Sequence, residues 1–141
     1  MSLKLNSAFL EAYIELDNAC RERFGFPRNG VTEYIKRLNE CRADSDCKEI
    51  LPIIHKYRHI RNRLAHEEGA LSQNNDIGRA DITRLKQMAK SVAKGKDPLS
   101  LYHRKAKIHA TAKTAKTVII LLLAIAALIG IFTLLKFLGL I

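Results

Sequence analysis

Through the first hundred residues apolar side chains recur at intervals of three and four, and no alternation of period two persists for more than a few positions. That pattern predicts helices and no sheet. Phe9, Tyr13, Leu16, Cys20 and Phe24 form one stripe, which predicts a first helix over residues 7–24, opened by Asn6 or Ser7 and closed by the run Gly25-Phe26-Pro27-Arg28-Asn29-Gly30. Val31, Tyr34, Ile35, Leu38 and Cys41 define a shorter second helix that the polar run Ala43-Asp44-Ser45-Asp46 ends. A third begins near Asp46, with Glu49 placed as in a capping box, and reaches Glu67 ahead of Gly69. Pro52 lies inside it, so this helix either starts or bends there. Asp81 is placed to cap a fourth helix with Ile82, Leu85, Ala89 and Val92 inward, and Asp97-Pro98 has the N-cap and N1 pair of a fifth. The fold class is therefore all-α, an antiparallel bundle of four to five helices. So small a domain buries a modest core, and a second copy is a natural source of extra stability.

The pattern changes after residue 117. Val118 to Leu135 is 18 residues without a charge. At 1.5 Å per residue it reaches about 27 Å, close to the roughly 30 Å hydrocarbon core of a bilayer, and Lys136 can snorkel to the far interface. A buried core helix would need a shell that the remaining residues scarcely supply, and a signal peptide would stand at the other end of the chain. The expected organisation is a helical domain over residues 1–103, a basic juxtamembrane segment over 104–116, a transmembrane helix over 117–138 that meets the lipid bilayer, and a tail of 139–141. Ala126 and Gly130 are spaced for close approach of two spans, which is compatible with a dimer and no more.

Charge sharpens this reading. The formal charge of +10 is uneven, because all 14 acidic residues fall within the first hundred positions, where the balance is only +4. Arg104, Lys105, Lys107, Lys113 and Lys116 precede the apolar run without an acid among them, and only Lys136 stands near its other end. That bias predicts a single-pass C-terminal anchor in the cell membrane with the N-terminal domain in the cytoplasm. The basic run itself suits anionic headgroups better than nucleic acid because of its place beside a span. The three cysteines, Cys20, Cys41 and Cys47, are odd in number and lack CxxC spacing. They argue against a disulfide framework and a four-ligand zinc site, and for core thiols in a reducing compartment.

The chemistry is concentrated in the third helix. On an ideal helix Ile50, Ile53, Tyr57, Ile60 and Leu64 share a buried face, while His55, His59, Asn62 and His66 share the opposite one, with Arg58 and Arg61 along its flank. A solvated face more often mixes both signs of charge, so this acid-poor stripe reads as a surface for an anion or for a second copy of the chain. Plainer readings stand beside it. His66 near a helix C-terminus is favourable as a cap, Arg61 is within reach of Glu67 or Glu68, and Arg58 and Arg63 read as solvated flank charges. His55 and His66 lie about 16 Å apart along a helix, too far to share one metal ion.

The segment Arg61-Asn62-Arg63-Leu64-Ala65-His66 resembles the Arg-x4-His signature of the HEPN superfamily of helical-bundle ribonucleases. It falls near the C-terminal end of a long third helix, as in that family. Asp97 to Tyr102 also resembles a segment that follows the bundle in small HEPN-like proteins, so the resemblance covers roughly residues 5–105. It implies a dimer through helix three and metal-independent endoribonuclease activity, with no cofactor and with 2′,3′-cyclic phosphate and 5′-hydroxyl products. Arg61, Asn62 and His66 are the catalytic residues it implies. His66 would move protons, Arg61 would grip phosphate and Asn62 would orient either. Arg58, Arg63, His55 and His59 would assist the approach of RNA.

Residues five apart on a regular helix diverge by about 140°, so Arg61 and His66 of one straight helix cannot hold one phosphate. Either the helix unwinds near His66 or two protomers each supply one of the pair. The resulting expectation is a membrane-anchored ribonuclease, as in a toxin or antiphage effector with an antitoxin or other defence partner. Its rivals are a non-catalytic module that binds RNA, nucleotide or protein, and a helical dimerisation adaptor.

Overall fold

The computed structural model describes residues 2–67, 69 and 77–139, most of them helical and the rest in turns, bends or short irregular stretches. Among the described residues five helices follow in order: α1 Ser2–Phe24, α2 Gly30–Glu40, α3 Ser45–His66, α4 Arg79–Ala93 and α5 Pro98–Phe137. Two compact units result, Met1–His103 and Arg104–Ile141.

In the first unit α1 packs against α4, α2 and α3, and α2 packs against α3. The predicted stripe of α1 is buried at Phe9, Tyr13, Leu16 and Cys20, while Phe24 is half-buried against the core. Asn6 is buried inside α1 and is not its N-cap, because the helix already starts at Ser2. Gly25, at φ 71°, ends α1, and the Phe26 N–H closes back on the Arg21 carbonyl at 3.1 Å, a turn in which a left-handed residue satisfies the last carbonyls. Gly30 has a different task. A Cβ there would run into the Asp17 carbonyl and the Arg21 side chain, so its absence lets α2 start directly against α1.

The third helix starts at Ser45, one residue before the expected Asp46, since Asp44 is the N-cap and its carboxylate accepts the Asp46 N–H at 3.0 Å. It continues through Pro52, which neither opens nor ends it. Its buried residues are Cys47, Ile54, Tyr57, Ile60 and Leu64, with Ile50 and Ile53 only half-buried. The core-facing edge is thus rotated toward Ile54, which the ideal-helix projection left out. Phe9 meets Tyr57 edge-on with ring centroids 5.7 Å apart, the arrangement that aromatic quadrupoles prefer.

Asp81 does not cap α4 from outside. It sits in the first turn behind the N-cap Gly78, and its Oδ2 accepts the Gly78 N–H at 3.0 Å while Oδ1 accepts the Tyr57 hydroxyl at 3.1 Å. Leu85, Ala89 and Val92 are buried as expected, and Ile82 is half-buried. Asp97 caps α5 as predicted, with Oδ2 accepting the Ser100 N–H at 3.1 Å.

The cysteine reading is overturned in part. Cys41 and Cys47 form a disulfide, and Cys20 alone is a free, buried thiol. An odd total excluded a framework but not a single local bridge. Cys41 is the C-cap of α2 and Cys47 lies in the first turn of α3, and the tight turn between them holds their Cα atoms 6.1 Å apart, within the range that a disulfide spans. With two of the three cysteines bridged, a reducing compartment no longer follows from them.

In the second unit the described side chains are exposed except for the half-buried Leu135. The apolar window of α5 has mean hydropathy 3.1 and none of it is buried. This helix is long and apolar enough to cross a membrane. Arg104, Lys105, Lys107 and Lys116 are exposed along it, and the Lys113 side chain lies outside the described ones, as do residues 140–141 of the expected tail.

Candidate functional site

A polar cleft of about 270 Å³ opens where α1, the start of α2 and the C-terminal half of α3 meet. Helix α1 contributes Tyr13, Ile14 and Asp17; Asn29 and Thr32 come from the entry to α2; Arg58, Arg61 and Asn62 come from α3. The spacing of Arg58, Arg61 and Asn62 at three and four residues puts them on one side of α3, and the direct approach of α2 to α1 at Gly30 brings Asn29 and Thr32 opposite.

Several of these side chains are oriented by contacts of their own. Arg61 donates from Nη1 to Asn62 Oδ1 at 3.2 Å, which aligns the guanidinium and leaves the Asn62 amide nitrogen as a further donor. Asp17 Oδ1 accepts the Val31 N–H at 2.8 Å, so this carboxylate from α1 caps α2. It takes over from Asn29, which stands at the N-cap position in the left-handed region at φ 52° and makes no side-chain cap bond. Tyr13 is nearly buried, and its phenol is pushed up to about 12, first by burial and then by Asp17, against the opposing pull of Arg61 and Arg58. At neutral pH it therefore keeps its proton and serves as a donor.

Two guanidiniums face one carboxylate, and that carboxylate is already engaged. The remaining groups are amides, hydroxyls and the positive end of α2. Such a set of donors suits an anion with several acceptor oxygens, of which phosphate is the best match to the planar fork of arginine. Among the described residues no cluster of His, Cys, Asp and Glu is arranged to hold a metal ion.

The structure thus brings together Arg58, Arg61 and Asn62 and leaves the other expected site residues outside the cleft. His66 is the last residue of α3 and is exposed; the backbone becomes extended only at Glu67, so the helix does not unwind ahead of it. His55 and His59 are exposed on α3 and line no part of the cleft. Glu67 lies 3.9 Å from Arg63 and not beside Arg61, at a separation and exposure that contribute little. The alternative partner Glu68 lies outside the described residues.

Sequence reasoning missed Tyr13, Asp17, Asn29 and Thr32. Tyr13 was absorbed into the core stripe and Asn29 into an interrupting loop. The usable signal was Asn29-Gly30 ahead of an apolar-periodic segment, which announces a helix start where donors converge.

Residues 7–120 match the sequence model of a family of unknown function, DUF6548. No curated protein matches the chain. No solved structure matches it either.

Proposed function

The chain therefore belongs to DUF6548, and from that premise we propose that it is a membrane-anchored, HEPN-like helical bundle whose Arg58, Arg61 and Asn62 cleft grips the phosphodiester backbone of RNA at the cytoplasmic face. The observation that carries this reading is the convergence of two arginines and two amides on one polar cleft with a single engaged carboxylate. Anchoring rests on the length and apolarity of α5, and sidedness on the basic residues that precede its apolar window.

Cleavage is the second reading, favoured by the exposed His66 at the end of α3. Because α3 is regular through His66, one protomer does not bring that imidazole to its own Arg61. Two copies meeting along α3 would bring His66 of one toward phosphate gripped by Arg61 of the other. That imidazole would take the 2′-hydroxyl proton and, once protonated, return it to the departing 5′-oxygen, while Arg61 would stabilise the phosphorane, leaving a 2′,3′-cyclic phosphate.

One experiment separates these readings. Purified full-length chain in non-ionic detergent is mixed with total tRNA in EDTA, and retention and integrity of the RNA are followed over a salt series. Salt-sensitive retention that weakens uniformly in Arg61→Ala supports the cleft, with the log–log salt slope falling by about one. Cleavage that disappears in a folded His66→Ala variant adds the nuclease. Intact RNA with no retention refutes both and leaves a helical adaptor.

A further inference from the structure

The arginine cleft has two walls of different chemistry. Arg58 and Arg61 line it from α3, both half-buried, and their guanidiniums offer donors only. Asn29 and Thr32 line it from the start of α2 and carry no charge. A carboxamide and a hydroxyl each hold both a donor and an acceptor. Among the described residues neither side chain has a hydrogen-bond partner. Asn29 stands at the N-cap position without making a side-chain cap bond, and the Val31 N–H that it would have served goes to Asp17 Oδ1 at 2.8 Å.

The turn itself does not ask for a side chain at position 29. Among the described residues Asn29 is the one non-glycine with a positive φ, 52°, a region that glycine enters at no steric cost. Phosphate is a poor match for the α2 wall, because its ester oxygens only accept. Half of the hydrogen-bonding capacity of Asn29 and Thr32 would be wasted on it, whereas the arginine wall opposes no acceptor to it. The group beside each phosphate of RNA that both donates and accepts is the ribose 2′-hydroxyl, and it is also the group that separates RNA from DNA. In a cleft of about 270 Å³, phosphate held on one wall leaves the adjoining sugar to the other.

We propose that Asn29 and Thr32 are specificity-determining residues that hold the ribose 2′-hydroxyl beside the phosphate gripped by Arg58 and Arg61, an inference that rests on the reading of this cleft as an RNA site. The carboxamide of Asn29 donates to the 2′-oxygen or accepts its proton, and the Thr32 hydroxyl takes the complementary part. The cleft then tells RNA from DNA by binding alone, and no cleavage is needed for it.

The test measures retention of oligouridylate and oligodeoxyuridylate of one length, which differ only in the 2′-hydroxyls, by purified full-length chain in non-ionic detergent. The wild type should hold the ribose form about ten-fold more tightly. Asn29→Gly keeps the turn, since glycine adopts the same φ freely, and Thr32→Val keeps the shape of the side chain. Each variant should lower the ratio by about three-fold, and the pair should abolish it, with binding of the deoxy form unchanged. Either single variant decides the matter should the pair fail to fold. Oligoadenylates should give the same ratio, and a preference confined to one base would overturn the sugar reading. Equal retention of both uridylates by the wild type would overturn it too; if that retention still falls in Arg61→Ala, the phosphate grip stands without it. A ratio that survives the substitutions, or variants that lose the deoxy form as well, would also overturn it. Retention of neither oligonucleotide would overturn this inference together with the reading it rests on.

Discussion

Replacement of Asp81 by alanine should be among the most destabilising single changes to the surface of the first unit, and its cost can be built from three contacts. The carboxylate accepts the Gly78 N–H at 3.0 Å, the Tyr57 hydroxyl at 3.1 Å and the Lys56 ammonium at 3.4 Å. Losing the first removes the reach-back closure of α4, about 1 kcal/mol. Losing the second strands a hydroxyl on a side chain that is 2% exposed, which costs about 1–3 kcal/mol. Losing the third costs little, because Lys56 is 57% exposed. The expected total is about 2–4 kcal/mol. The origin of the largest part is separable, because Tyr57→Phe removes the stranded hydroxyl. In the Asp81→Ala background that second change should restore about 1–2 kcal/mol, which appears as a coupling energy in a double-mutant cycle. Urea unfolding of the full chain in non-ionic detergent, followed by tyrosine fluorescence, reads all four free energies. The pH dependence carries a sign of its own. Partial burial alone would raise the Asp81 carboxyl, but the Gly78 N–H, the Tyr57 hydroxyl and Lys56 outweigh it and hold it below the ordinary aspartate range. A depressed carboxyl stabilises the fold above its unfolded pKa of about 3.9 and loses that contribution as pH falls through the folded value. The gap between wild type and Asp81→Ala should therefore be full at pH 6 and narrow below about pH 4. A coupling energy under about 0.5 kcal/mol, or a gap that widens in acid, would refute the reasoning.

Gly30→Ala forces a methyl group onto the Asp17 carbonyl and should cost about 1–3 kcal/mol in urea unfolding while weakening RNA retention, since the same contact shapes the cleft. Asp17→Asn keeps an acceptor for the Val31 N–H but removes the one negative charge of the cleft. It should tighten RNA binding in a filter assay by about two- to ten-fold at low salt and cost about 0.3–1 kcal/mol of stability at the start of α2; weaker binding would remove RNA from this cleft. Reduction of the Cys41–Cys47 bridge, which closes a loop with a sequence separation of 6, should lower the unfolding free energy by about 2 kcal/mol. The double variant Cys41→Ser, Cys47→Ser should show no response to reductant, and an equal response would place the effect elsewhere.

The helices were legible in the sequence where local chemistry decides them. Periodicity located the buried faces of α1, α2 and α4, and Asp97-Pro98 located the start of α5, because capping and amphipathicity act over a single turn. The errors have two causes. Asp44 rather than Asp46 begins α3 because two acids two positions apart compete for one local cap, whereas Asp81 answers to Tyr57 of another helix as well as to its own. The rotation of the α3 core face toward Ile54 follows from which neighbours it packs against, and an isolated projection holds no information on that. The candidate site divides the same way. Arg58, Arg61 and Asn62 are visible as neighbours on one helix, whereas Tyr13, Asp17, Asn29 and Thr32 join them only through the packing of α1 and α2 against α3.

The disulfide and the charge bias pull the location of the first unit in opposite directions, and they act on different parts of the chain. Disulfides persist in oxidising compartments, so Cys41–Cys47 by itself would favour an external domain. The asymmetry of Lys and Arg around the apolar run, five before it and one after, acts on the orientation of the span itself. Redox state acts on sulfurs that are at most 1% exposed once α2 and α3 have closed over them. Thiol–disulfide exchange needs access of an attacking thiolate to sulfur, and burial slows that access whichever way the equilibrium lies. A bridge buried in a folded hairpin is therefore weaker evidence of compartment than an exposed one. For that reason the charge asymmetry, not the disulfide, carries the proposed cytoplasmic orientation that puts the arginine cleft on the side where RNA is found.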